Sequence, residues 1–315
     1  MHKPEFLRLI EEASEKLGIS MCHFSDQWAI RLSKGRNTKY IVGYTFPLNN
    51  AASTRIARNK NVSSEVLTAD GIPNVPHYPL YSPKLLVKWG RTAGSIEQIN
   101  RLILQTGFPL IIKRNESSGG EGVFLVHNHA QLEKVLAELY NNDSVVCLAP
   151  FRQVLHEYRG VVLKRESILC FEKIKPCVIG DGQLTILELL NEFMRRRRGE
   201  EYPATAFDPS LLGRLDRVPQ KGEQVFLQWK HNASVGMQYE IIDNRAISVL
   251  AEKAAGAIDA DFVSVDIIYT NQYQFEVIEI NAAVLLNSFS TASEVHYMKA
   301  LNVYELALKE MFQSD

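Results

Sequence analysis

"PLIIKRNESSGGEGVFLV", residues 109–126, is an apolar run that ends on Lys113, a stretch of almost bare backbone, and a second apolar run. Two readings fit it. A hairpin turn between two strands needs small residues and nothing more. A polyphosphate site needs the same glycines for another reason: the N–H groups of a turn reach phosphate oxygens only where no side chain blocks the approach. Lys113 at the strand end would then add a point charge to those oxygens. No glycine in the chain is followed by Lys-Ser or Lys-Thr, and the loop leads into a strand, not a helix. The two commonest nucleotide fingerprints are therefore absent, and the stretch taken alone leaves turn and phosphate loop both open.

Working outward, helical spacing and stop signals predict helices over 4–17, over 63–70 closed by Gly71 and Pro73, and over 95–106 closed by Gly107 and Pro109. Further helices are expected over 128–142, 185–201 and 246–258. Short strands are expected within 21–46, at 110–115, 122–126, 145–151 and 158–175, and as a hairpin over 262–281. Residues 199–224, with Pro203, Pro209 and Pro219, read as irregular. Strands and helices mix without a strict βαβ rhythm, which predicts an α+β chain and not one doubly wound sheet.

The hairpin "FVSVDIIYTNQYQFEVIEIN" carries the sharper signal. Pairing Thr270 with Phe275 across the turn Asn271–Gln274 would set Asp266 opposite Glu279, with Asn281 two residues on and facing the same way. Opposed Cβ atoms lie ~4.5–5.5 Å apart, so two like charges there need something positive beside them. Two carboxylates and an amide oxygen form a hard, all-oxygen set that suits Mg²⁺ bridging to phosphates better than zinc. The plain alternative is a solvated acidic pair. "FEVIEINAA" is too apolar for an exposed edge, which favours a cleft.

The whole chain narrows the field. It has 315 residues, long enough for two or three lobes, and a net charge of -1, so no polyanionic partner held by bulk charge is expected. No run approaches the ~20 apolar residues of a membrane span. The N-terminus reads as a charged amphipathic helix, not a signal peptide. A cytoplasmic protein with reduced thiols is expected, because Cys22, Cys147, Cys170 and Cys177 form no CxxC pair.

A strand lysine before a glycine loop, followed far downstream by Asp and then Glu-x-Asn, resembles the ATP-grasp superfamily. Residues 52–76 look like the segment that carries that family's first nucleotide lysine, here Lys60, before a helix and "GIPNVP". "HEYRGVVLKRE" resembles a family strand. Residues 173–192 and 217–236 are similar to the ATP-grasp parts of cyanophycin synthetase and bifunctional glutathione synthetase. The matches keep the family's order from about residue 51 to 290.

The resemblance implies an α+β ATP-grasp fold, two lobes clasping ATP. The expected division is a short α/β region at 1–57, a first lobe at 58–152 and a second at 153–315. It implies Lys60 and Lys113 on ATP phosphates, Ser117, Ser118, Gly119, Gly120 and Gly122 as the flap, and Asp266, Glu279 and Asn281 on Mg²⁺ or Mn²⁺. Arg159 and Asn232 match positions near the acyl phosphate and metal. Relatives carry a glutamate before the adenine, whereas this chain has no acid between Val145 and His156. Backbone groups from Leu148 to Phe151 are left to bind adenine, and the ribose contact is in doubt. Lys173, Lys175 and His231 are candidate substrate contacts. The run Arg195–Arg198 reads either as a solvated helix end or as an acidic-substrate channel.

The implied reaction is ATP-dependent carboxylate–amine ligation through an acyl phosphate, joining amino acids or extending a peptide. A thiol acceptor, or an ATP-binding protein without catalysis, are the alternatives. Small amino acids or peptides are the expected partners, nucleic acid and membrane are not, and a homodimer is left open.

Overall fold

The computed structural model describes residues 4–90, 95–116, 122–196, 209–227 and 237–313. The chain opens with α1 (Glu5–Leu17) and a meander, β1 (Ser20–Phe24), β2 (Ala29–Lys34) and β3 (Asn37–Val42). Next come α2 (Ala51–Arg58), α3 (Lys60–Ala69), β4 (Tyr78–Tyr81), α4 (Pro83–Trp89) and α5 (Ile96–Thr106). The quoted stretch supplies β5 (Leu110–Arg114) and β6 (Val123–Val126), followed by α6 (His129–Leu139), β7 (Val145–Pro150), β8 (Val154–Leu163) and β9 (Glu166–Ile174). After β10 (Cys177–Ile179), α7 (Ile186–Arg196), β11 (Gln224–Phe226) and β12 (Gln238–Ile241), the chain ends with five elements. These are α8 (Arg245–Ala257), β13 (Phe262–Thr270), β14 (Phe275–Asn281), α9 (Asn287–Ser290) and α10 (Glu294–Gln313).

Asparagine and glycine punctuate these elements. Asn50, Asn59, Asn128 and Asn244 cap α2, α3, α6 and α8 by accepting first-turn N–H groups, and Gly18 ends α1 in the left-handed region at φ 65°. The cap at Asn59 starts α3 at Lys60, one turn earlier than apolar spacing predicts, so Lys60 sits in a helical first turn.

The chain divides into two compact units, Met1–Glu172 with Ile241–Asp315, and Lys173–Glu240. The boundaries expected at 57 and 152 both fall inside the first unit. Residues 1–57 do not stand apart from the rest of it: α1 lies along α10, with Lys16 3.0 Å from Glu305 and the Tyr297 hydroxyl donating to Glu12. Phe6, Phe46, Phe262 and Tyr304 meet edge-to-face or stacked beneath this contact.

Two sheets of the first unit matter for function. One has the order β4–β7–β5–β6, with α5 and α6 packed on its outer face through Leu102, Leu132, Leu110 and Ile112. The other includes β9–β8–β13–β14, with α8, α2 and α3 packed on its outer face through Ala251, Ala254, Val263, Val265 and Ile280. The pairings of β13 with β14 and β8, of β4 with β7, and of β5 with β6 and β7 are all antiparallel, which is why no βαβ rhythm shows in the sequence. Their inner faces meet through Val75, Ala149 and Ile268, with Ile111, Val154 and Ile278 half-buried beside them.

The second unit is small. Its β10 and β11 pair with Cys177 opposite Phe226, over a core of Val178, Ile186, Leu189, Val225 and Leu227. Thr185 and Glu188 form a capping box on α7. Arg217 forks onto Glu223 at 2.9 and 2.6 Å. All four cysteines are free, and among the described residues no helix is long and apolar enough to cross a membrane.

Candidate nucleotide and metal site

Alternation along β5 places Ile111 and Lys113 on one face, the face turned toward the second sheet. Lys113 is only 6% exposed, and its ammonium has no hydrogen-bond or ion-pair partner among the described residues. Burial lowers its pKa below the ordinary lysine value, and the Glu279 charge opposes that shift. Opposite it, β13 places Ile268 and Asp266 on its inner face, and β8 does the same with Glu157 and Arg159.

Asp266 has Glu279 on one side and Arg159 on the other, so three strands bring the trio into one row. The pairing of Asp266 with Glu279 matches the sequence expectation, but the route differs. The turn pairs Tyr269, not Thr270, with Phe275, and Ile278 is then bulged out, which restores the register at Glu279. The bulge lets Val277 and Ile280 both face the core while Ile278 and Glu279 both face the cleft.

The like charges of that pair are neutralised from outside. Arg159 grips Asp266 in a two-pronged fork, Nε and Nη2 both at 2.7 Å. Lys60 Nζ lies 3.4 Å from Glu279 Oε1 and donates to the carbonyl of Asn115. Burial works against the Arg159 charge, but Asp266, Glu157 and Glu279 outweigh it and hold the guanidinium above its ordinary pKa.

The donor set fits a hard divalent ion. Asp266, Glu279 and Asn281 offer oxygens only, and the Ser264 hydroxyl, opposite Asn281, is buried without a partner. Among the described residues no three carboxylate, imidazole or thiol side chains converge as a self-sufficient metal cage. An ion held here would take the rest of its shell from a ligand's oxygens.

No family model matches the chain. It is 24% identical over 305 residues to cyanophycin synthetase of Trichormus variabilis, a match covering 89% of this chain and 32% of that one. It is 23% identical over 288 residues to the glutathione biosynthesis bifunctional protein GshAB of Clostridium perfringens, covering 85% and 35%. Among solved structures, a bifunctional glutathione synthetase from Pasteurella multocida superposes with a TM-score of 0.59 at 18% identity, over 96% of this chain and 44% of that one. The chain has the fold of ATP-grasp ligases and resembles them in sequence. It spans about a third of the length of these curated relatives.

The other candidate residues fall as follows. Ser117, Ser118, Gly119, Gly120, His231 and Asn232 lie outside the described residues. Gly122 lies just past the loop at φ 64°, where a Cβ would sit 2.7 Å from Arg114 Cδ, so no other residue fits without a shift. Leu148 is fully buried in the central strand β7, paired on both sides by Tyr78 and Ile112, and its side chain belongs to the core. Phe151, past the strand end, is 37% exposed. Lys173 and Lys175 fall in the second unit, with Lys175 Nζ 5.0 Å from the centre of the Phe226 ring.

Three polar residues went unread in the sequence. Glu157 is a buried acid on the inner face of β8, one position beyond the window in which no acid was found. Asn115 follows Lys113 by two residues and is 5% exposed. His77 lines the cleft beside Lys60, Ser64 and Glu279, and its Nε2 is buried without a partner. Burial holds the His77 pKa well below its ordinary value; the Lys113 charge and, less strongly, the Lys60 charge push the same way, against a hydrogen bond to the Val75 backbone carbonyl. The unfolded chain therefore binds the His77 proton below about pH 6.5 while the fold refuses it. Stability should fall as pH drops from 7 to 5, because the unfolded chain takes up a proton there that the fold keeps off His77. Urea unfolding of His77→Asn at both pH values should show a smaller loss than the wild type; equal losses would take His77 out of the acid response.

Proposed function

We propose that the chain is an ATP-dependent carboxylate–amine ligase that works through an acyl phosphate. One observation supports this most: on the inner faces of both sheets, an apolar residue stands two positions or fewer from a charged one. Ile111 precedes Lys113, Ile278 precedes Glu279, and Asp266 precedes Ile268. Apolar side chains at one end would suit the flat faces of a purine, and the row of alternating charge at the other would suit a phosphate chain with its metal. Phe151 and its backbone neighbours stand at the apolar end. Glu157 lies on β8 between Val154 and Arg159, where a carboxylate can accept hydroxyl donors of a ribose.

Lys60 and Lys113 would hold terminal phosphates, and Asp266, Glu279 and Asn281 would hold Mg²⁺, which when bound neutralises charge on the phosphoryl oxygens. A substrate carboxylate oxygen attacks the γ-phosphorus and ADP leaves. The amine then attacks the acyl carbon, loses a proton, and inorganic phosphate leaves. Arg159 would neutralise the acyl phosphate, and the resemblance implies roles for Asn232 near the acyl phosphate and metal and for the glycine loop as a flap over ATP. Amino acids or peptides are the proposed substrates, since that is what the names of the relatives imply.

The test is nucleotide turnover against paired carboxylates and amines, with mass spectrometry of the products. ADP and phosphate should form only when both are present. AMP as product would overturn the mechanism, and ADP without an amide across a broad amine panel would move the acceptor to another class, such as a thiol.

Lys113→Ala should weaken ATP binding by about ten- to a hundredfold, the loss of one charge-assisted contact of about 1.5–3 kcal/mol. Calorimetric titration with ATP reads this directly. An unchanged affinity would remove Lys113 from the site.

A further inference from the structure

The first turn of α3 leaves four N–H groups without helical partners. Asn59 N–H donates to the Ile56 carbonyl, and Val62 N–H to Asn59 Oδ1. The remaining two go to one residue far along the chain. Lys60 N–H donates to the carbonyl of Asn115 at 3.4 Å, and Asn61 N–H to Asn115 Oδ1 at 3.2 Å. The Lys60 ammonium donates to that same carbonyl at 3.4 Å. The Cys147 thiol donates to Asn115 Oδ1 from the neighbouring strand at 3.2 Å. Burial pushes the Cys147 pKa up to about 11, so it stays an S–H donor and adds no negative charge. Lys60, Asn61, Asn115 and Cys147 are all more than nine-tenths buried.

This arrangement has two consequences. The N-terminus of α3 is not a backbone anion site, because its N–H groups are already used. And a cation in a helical first turn opposes the helix dipole, so without an outside acceptor Lys60 would tend to swing away. The Asn115 carbonyl supplies that acceptor, and the Asn115 side chain holds the next residue of the turn through the Asn61 N–H. It stands two residues after Lys113, just past the end of β5.

We propose that Asn115 is a positioning residue for nucleotide binding: it caps α3 from a distance and so sets the spacing between Lys60 and Lys113. The inference rests on the nucleotide site proposed above, but it concerns a residue outside that site's assigned ligands. Removing the carboxamide leaves Asn61 N–H buried without an acceptor and frees the first turn that carries Lys60.

The experiment is a cycle of four proteins: wild type, Asn115→Ala, Lys60→Met and the double variant. Calorimetry gives the Kd for ADP with Mg²⁺, and thermal unfolding without ligand gives Tm. Asn115→Ala should weaken ADP binding about tenfold in the wild-type background. In the Lys60→Met background it should change Kd by less than about twofold, because its effect runs through Lys60. A purely structural role would lower Tm and weaken binding by the same factor in both backgrounds, and that result overturns the proposal. Should Asn115→Ala not fold, Asn115→Ser, which keeps a shorter acceptor, runs the same cycle under the same criteria. A wild type that binds no ADP would overturn the nucleotide site and this inference together. A wild type that binds, with additive variants, would overturn this inference alone.

Discussion

Arg159→Met will destabilise the ligand-free protein by about 3–5 kcal/mol, the usual cost of leaving one partner of a buried ion pair without the other. Asp266 is 5% exposed, and both of its oxygens are held by Arg159 at 2.7 Å. The carboxylate that remains is buried and faces Glu279 across the strand. Methionine keeps most of the apolar stem but offers no donor. Two further measurements separate this cause from a simple packing defect. Asp266→Asn in the Arg159→Met background should recover part of the loss, because the buried charge is gone. Millimolar Mg²⁺ should raise the Tm of Arg159→Met more than that of the wild type, because the metal can then take the place of the guanidinium. Urea midpoints for the three proteins, with and without Mg²⁺, decide it; an Arg159→Met protein as stable as the wild type would mean that the pair contributes nothing.

The sequence made the chemistry of this site more legible than its geometry. The opposition of Asp266 and Glu279 could be read because alternation along both strands points to it. The route could not be read: a turn one residue longer and a bulge at Ile278 are two shifts that cancel, and the apolar pair Val277–Ile278 hides the extra residue within a continuous run. Lys60 was identifiable by resemblance, but its place in a helical first turn depends on the Asn59 cap, which apolar spacing does not register. Glu157 was missed by one position. Asn115 and His77 could not be found locally at all, because the groups that give them meaning lie 55 residues upstream of Asn115 in the first case and on β5 and α3 in the second. The division at Lys173 and Glu240 also carries no local mark, since composition does not change there.

Glu279→Gln should have the largest effect on turnover and almost none on the fold. The side chain is 24% exposed and its contact with Lys60 is a single 3.4 Å approach, so the pair contributes at most about 1 kcal/mol. Glutamine keeps the shape and one acceptor oxygen, and it relieves the like-charge opposition with Asp266. Tm should therefore stay level or rise slightly. The charge has a different weight once a nucleotide is present. Glu279 is the counter-charge of Lys60 and the group that most supports the Lys113 ammonium against burial. Without it, both lysines are freer for phosphate, and ADP in the presence of EDTA should bind at least as tightly as to the wild type. What disappears is a hard anionic oxygen beside Asp266, so the gain in ADP affinity on adding Mg²⁺ should vanish, and Mg²⁺-dependent turnover should fall by about a hundredfold or more. The paired result is what carries weight: loss of turnover with loss of ADP binding in EDTA would point to a collapsed site, whereas loss of turnover with metal-free binding intact assigns Glu279 to the ion. Turnover at the wild-type rate and the same Mg²⁺ concentration would remove the β13–β14 hairpin from the metal site.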